Sequence, residues 1–158
     1  MLTRYSKLSF LLSLLLLSPP LFVAQSNCAH PEVITDPKFA PGQVWSYKAR
    51  SGEESSTVTI LRIEKTPKLG TIVHIRIDGI HLKNCTGGAS PRLIEHAPFT
   101  RAALDASVTT EVGSVSKLPD YDAGYQDWLS HCDGVYTIPV DRMVAIDDAQ
   151  FSASLGCR

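Results

Sequence analysis

Residues 56–84, STVTILRIEKT-PKLG-TIVHIRIDGIHLKN, decide the fold. Ser56–Thr66 is rich in β-branched residues and reads as a strand. Its apolar phase shifts between Ile60 and Leu61, which calls for a bulge there or for cover on both faces. Pro67-Lys68-Leu69-Gly70 supplies a turn. In Thr71–Asn84, Val73, Ile75 and Ile77 alternate with His74 and Arg76. The phase flips after Asp78-Gly79, so that Ile80 and Leu82 become the apolar positions and His81 and Lys83 the polar ones. Asp-Gly between alternating hydrophobics signals a tight hairpin, and one long strand bulged at Gly79 fits equally well. Both readings put Ile75, Ile77, Ile80 and Leu82 on the core face.

Upstream, Trp45, Tyr47 and Ala49 alternate with Ser46, Lys48 and Arg50, the period of a half-buried strand. Residues 27–41 hold three prolines and no period, and read as an extended lead-in. Residues 85–98 (CTGGASPRLIEHAP) read as a loop. Thr100 is placed to cap a helix, with Phe99 packing on Leu104, and Leu104, Val108 and Val112 recur every four residues up to Gly113. Tyr121, Gly124, Tyr125, Trp128, Leu129 and Cys132 form the stripe of a second helix. Val135–Ile138 reads as a short strand, and Pro139 opens a third helix carrying Val140, Met143, Val144 and Phe151. The expected class is α+β: an antiparallel β-meander of three to four strands, then two to three helices packed on one face, plus the short late strand.

Residues 1–26 have the form of an export signal: Arg4 and Lys7, an apolar run from Leu8 to Leu17, Pro19-Pro20, and small residues at Ala24 and Ser26. That run falls short of the ~20 residues of a spanning helix, so no stable membrane insertion is expected once the signal is removed. A retained anchor and lipid attachment at Cys28 are the alternatives, the second disfavoured by Asn27 just before the cysteine. Residues 27–158 then form one domain in the periplasm or outside the cell. Removing 1–26 takes Arg4 and Lys7 from the chain's 15 basic side chains and none from its 16 acidic ones, leaving a net charge of −3. Such a balance excludes general nucleic-acid affinity. Cys28, Cys85, Cys132 and Cys157 make an even set in an oxidising compartment, so two disulfides are expected. Of the three pairings, Cys28–Cys157 with Cys85–Cys132 is favoured, as it staples the two ends. No two cysteines have zinc-site spacing, and no metal or other cofactor is expected.

Two sets of polar residues stand out. His74, Arg76, His81 and Lys83 share the polar face of the central strands, where two imidazoles and two cations suit a small anionic ligand with pH-tuned affinity. The plain reading of the same alternation is a solvated sheet face. Asp120, Asp122, Asp127 and Asp133 make the second helix acidic and suit a basic protein partner, as in an inhibitor or immunity-like protein. Their plain reading is favourable charge near a helix N-terminus. His131-Cys132 places a base beside a thiol, but on a buried stripe, where a disulfide fits better than a nucleophile. There is no G-x-S-x-G elbow, H-E-x-x-H pair or P-loop.

Phe39-Ala40-Pro41-Gly42-Gln43-Val44-Trp45-Ser46-Tyr47, with Gly52-Glu53-Glu54, Val73-His74-Ile75 and His96-Ala97-Pro98-Phe99, resembles a group of small uncharacterised bacterial proteins. The likeness spans roughly residues 38–151 and implies a bacterial host, with no activity attached. The resulting expectation is an exported, non-enzymatic binding or interaction module. The inhibitor-like role is one alternative, and a small hydrolase or lyase using His74 or His81 with Arg76 is the other.

Overall fold

The computed structural model describes residues 30–131 and 134–157. The expected export signal, Cys28, Cys132 and Asp133 lie outside the described residues. The elements, in chain order, are β1 (Glu32–Val33), β2 (Gln43–Tyr47), β3 (Thr57–Thr66), β4 (Gly70–Asp78), β5 (Leu93–Thr100), α1 (Arg101–Ser107), β6 (Val108–Ser114), α2 (Asp122–His131) and α3 (Val140–Ser154). The protein is α+β, with an antiparallel sheet ordered β5-β4-β3-β2-β6 and β1 alongside β3. It has more strands than a three- to four-strand meander. The lead-in contributes β1, and β5 and β6 come from stretches that read as loop and helix.

The turn at residues 67–70 forms as expected and zips β3 to β4 from Thr66↔Gly70 to Thr57↔Asp78. The register shifts between Ile60 and Arg62, where the apolar phase changed in the sequence. That bulge keeps Val58, Ile60 and Ile63 in the main core with Val73, Ile75 and Ile77. Arg62 and Glu64 go to the opposite face with Ile72 and His74. A bulge and cover on both faces are therefore both present.

Asp78-Gly79 is not a two-residue hairpin. Gly79 takes a positive φ of 81°, available to glycine without a Cβ penalty, and the chain kinks and continues. Gly79 and Ile80 both donate to Arg92 O, and Leu82 donates to Pro91 O, so a wide loop closes before β5 returns beside β4. Ile75, Ile77, Ile80 and Leu82 are all buried in the main core.

Thr100 caps α1 by accepting from Ala103 N at 3.2 Å, but the helix stops at Ser107 instead of reaching Gly113. Val108-Thr109-Thr110-Glu111-Val112 is β-branched at every position but Glu111, and pairing with β2 satisfies its backbone better than two more helical turns. Ser107 marks the switch: its Oγ donates to Ala103 O and accepts from Val140 N, the first residue of α3. Expected as a strand, Val135–Ile138 gives one parallel bridge, Tyr136↔Phe99.

The helices do not share one face. Leu104 of α1 and Val140, Met143 and Val144 of α3 pack in the main core on the Val73/Ile75/Ile77 side. Tyr125 and Trp128 of α2 pack on Ile72 on the other side. A strand buried on both faces alternates two apolar sets, and Ile72 and His74 are the second set of β4.

Cys85 is bonded to Cys157, with Cα atoms 5.7 Å apart. This excludes both Cys28–Cys157 and Cys85–Cys132, since each needs one of these two sulfurs. The reason is the path of α3. Asp148 accepts from Lys83 N at 2.5 Å and from Arg50 Nη1 at 2.8 Å, and Ser152 Oγ donates to Lys83 O. The last turns of α3 thus lie on the loop that carries Cys85. No described helix is long and apolar enough to cross a membrane.

Candidate functional site

Beneath α2, two backbone irregularities bring three titratable side chains into one line. The β3 bulge places Arg62 opposite His74, with Glu64 two residues along on the same face. In β5 the pairing jumps from Ile75↔Ala97 to Ile77↔Ile94, so Glu95 and His96 together stand opposite Arg76. Bulges of this kind re-aim side chains, and here the His96 ring comes beside His74. The His74 Nδ1 and His96 Nε2 atoms are 2.8 Å apart, with the ring planes 18° from parallel.

His74 and Glu64 are both fully buried, with His74 Nε2 3.2 Å from Glu64 Oε2. The approach is close enough for an ion pair but not aligned for a hydrogen bond. These two atoms are the buried side-chain polar atoms that lack a hydrogen-bond partner among the described residues. The other carboxylate oxygen, Oε1, accepts from Tyr125 OH at 2.9 Å and from Arg62 Nε. Aromatic rings close the space: the His74 centroid lies 4.8 Å from Trp128 and 5.3 Å from Tyr125, and the Arg62 guanidinium sits 5.1 Å over Tyr125. Gly124 lets α2 come this near. A Cβ there would stand 2.8 Å from His96 Cβ, nearer than two such carbons pack.

The electrostatics follow from this packing. Burial alone would raise the Glu64 carboxyl, but the close approach of His74 and the hydrogen bonds from Arg62 and Tyr125 outweigh it and hold its pKa at about 2. Burial, then the electrostatic influence of the adjoining His74 ring, lowers His96 to about 4. Burial and the Glu64 carboxylate push Tyr125 up to about 12. At neutral pH the line holds a carboxylate at its inner end, Glu64, and at its outer end an imidazole, His96, that resists taking a charge of its own.

His96 is where this line meets solvent. A cleft of about 530 Å³ is lined by His96, Pro98, Gly124, Asp127, Trp128, Gly134, Val135 and Tyr136. The His96 Nε2 atom is held by His74, and Nδ1 has no hydrogen-bond partner among the described residues. Trp128 Nε1 donates to Gly134 O at 3.0 Å, which fixes one wall. No group of three or more described His, Cys, Asp or Glu side chains is placed to hold a metal ion.

The structure does not bring the four expected sheet-face residues together. His74 is in the buried line rather than on a solvated face. Arg76 Nε donates to both Asp78 oxygens at 2.9 Å. His81 and Lys83 lie beyond the Gly79 kink and are exposed. His81 Nε2 is 2.5 Å from Arg92 Nη1, and its backbone N–H donates to Glu53. No hydrogen bond or ion pair joins any two of the four, so the structure assembles no common anion site from them. Of the acidic set, Asp120, Asp122 and Asp127 are exposed. Asp120 Oδ1 accepts from Asp122 N, and Asp122 Oδ1 accepts from Gln126 Nε2, as helix-start residues do. Asp127 lines the cleft and pairs with His131 at 3.4 Å.

Glu64 and His96 escaped the sequence reading. Glu64 sits in a strand where Glu64-Lys65 looks like a fraying polar end, and His96 sits in a stretch read as loop. A charged residue two positions from Arg62, after a phase shift, was the available signal. Comparison with protein-family models, with curated proteins and with solved structures finds no match to this chain.

Proposed function

We propose that the protein is an exported, non-enzymatic binding module of a bacterial periplasm or cell exterior, and that its ligand seats in the cleft at His96. The observation that carries this reading is the His96 ring itself. One nitrogen is held by the buried His74 imidazole, which itself lies against the Glu64 carboxylate; the other, Nδ1, lies beside Gly124 of the cleft wall and has no hydrogen-bond partner among the described residues. A concave site with apolar walls and a few oriented polar groups is the usual form of a small-ligand pocket. Pro98, Val135, Trp128 and Tyr136 supply the apolar walls, with His96 and Asp127 as the polar groups.

A fragment screen on the mature protein, read by amide and imidazole NMR shifts, tests the reading. Hits that move His96, Gly124 and Trp128 together support it, and are lost in His96→Ala. A screen whose hits leave these residues unmoved overturns it.

The buried carboxylate–imidazole line also favours a second reading, the small hydrolase or lyase, because such a line is what a general base needs. His96, lowered to about 4, is a weak base taken alone. Among the described residues that line the cleft, Tyr136 has the one hydroxyl and there is no thiol. Turnover of generic esters, phosphates or glycosides that disappears in His96→Ala would replace binding with catalysis.

A further inference from the structure

We propose that Glu64, His74 and His96 form a proton-storing chain that sets the hydrogen-bonding polarity of the cleft. The cleft then takes a cationic donor when the imidazole pair is neutral and an anionic acceptor when the pair holds one more proton. The inference rests on the reading of this cleft as the ligand site.

The tautomers are dictated by contact. The Glu64 carboxylate faces His74 Nε2 at 3.2 Å, and a lone pair there would oppose a negative charge in a dry interior, so Nε2 carries the hydrogen. In the neutral pair, His74 Nδ1 is then an acceptor and His96 Nε2–H donates to it across 2.8 Å. His96 Nδ1 is left with a lone pair beside Gly124, at the wall of the cleft. When a proton arrives at His96 Nδ1, the Nε2 proton of His96 crosses to His74 Nδ1. The result is an imidazolium at His74 beside the Glu64 carboxylate and a neutral His96 bearing Nδ1–H. One proton has been taken up and none lost, and Nδ1 has changed from acceptor to donor. The charge rests where Glu64 Oε2 has no hydrogen bond to satisfy it.

The surrounding groups allow this exchange. Arg62 on β3 is committed to Glu64 Oε1, and Arg76 on β4 is committed to Asp78. Glu95 on β5 is exposed. On α2, Tyr121 stacks on His96, the Tyr125 hydroxyl serves Glu64, and Asp127 and His131 pair at the rim, with Asp122 exposed at the helix start. Tyr136 also lines the cleft. Asp127 adds attraction for a cation in the neutral state, so the favoured ligand class there is an aromatic or apolar amine or amidine.

The test uses the mature protein with ¹⁵N-histidine, titrated from pH 4.5 to 9, with benzamidine and benzoate as probes. On acidification, His74 is expected to show imidazolium nitrogens while His96 stays neutral and moves its hydrogen from Nε2 to Nδ1. Benzamidine affinity should fall tenfold or more through that step and benzoate affinity should rise, and both trends should persist in Asp127→Asn. Glu64→Gln should abolish the crossover. A His96 that becomes the imidazolium, or keeps one tautomer throughout, overturns the chain, as does probe binding at the cleft whose affinity ignores pH. Tautomer exchange with neither probe moving His96, Gly124 and Trp128 overturns instead the reading of the cleft as a ligand site.

Discussion

Glu64 is the residue on which the buried line depends. Removing one partner from a buried charged set leaves the others uncompensated, so Glu64→Ala should destabilise by about 3–5 kcal/mol in a denaturant titration, with Glu64→Gln costing less. Gly124→Ala is the steric counterpart. Alanine gains about 1 kcal/mol over glycine inside a helix, yet its Cβ would press on His96 Cβ at 2.8 Å. Overpacking of that kind costs about 1–3 kcal/mol, so the variant should be less stable than its helix propensity implies, with shifted Trp128 fluorescence. The pH dependence has a definite sign. His96 titrates near 4 in the folded chain against an ordinary 6.5, so its contribution is complete above pH 6.5 and is lost as pH falls toward 4. Glu64, at about 2 against 4.5, contributes above pH 4.5 and loses that contribution as pH falls toward 2. Melting temperature should therefore decline in two ranges on acidification, and His96→Gln should flatten the upper one only.

At the scale of elements, bulges and caps decide what the strands present. The β3 shift after Ile60 and the extra residue in β5 put Glu64, His74 and His96 under α2; with straight ladders the same residues would not share a face in this way. The cap of α1 was legible because its chemistry is local: Thr100 accepts from Ala103 N, three residues on. Thr100→Ala should cost about 1 kcal/mol of folding stability by thermal melting. The length of α1 was not legible, because Leu104, Val108 and Val112 fit a helical stripe while Val108, Thr110 and Val112 fit strand alternation. Pairing with β2, a partner about 60 residues distant in sequence, decided between them. β5 was hidden for a related reason: Pro98 and a bulge interrupt the alternation that marks a strand, and its partner β4 supplies what the local signal lacks.

For the molecule as a whole, the sheet is covered on both faces, by α1 and α3 on one side and α2 on the other. The Cys85–Cys157 bond spans 72 residues and fastens the kinked loop to the end of α3. On the chain-entropy model such a crosslink contributes about 4 kcal/mol. Peptide mapping without reductant should recover Cys85 joined to Cys157, and Cys85→Ser should lower the unfolding midpoint accordingly. The inhibitor-like alternative is tested at this scale, since Asp120, Asp122 and Asp127 are exposed on α2 and its approach. Reversing these charges together with Asp133 should slow association with a basic partner tenfold or more at low salt. Unchanged kinetics would remove that role.

The residues alone determined the α+β class, the β3–β4 turn, the Thr100 cap, the α2 stripe and the core positions Ile75, Ile77, Ile80 and Leu82. Each is written in a period or a cap within about a dozen neighbours. Only the tertiary structure decided the partner of Cys85, the opposite placement of α2, the end of α1 and the line from Glu64 to His96. These depend on which distant segments meet. Meeting is settled by backbone pairing between segments far apart in the chain, which leaves no periodic mark in either one.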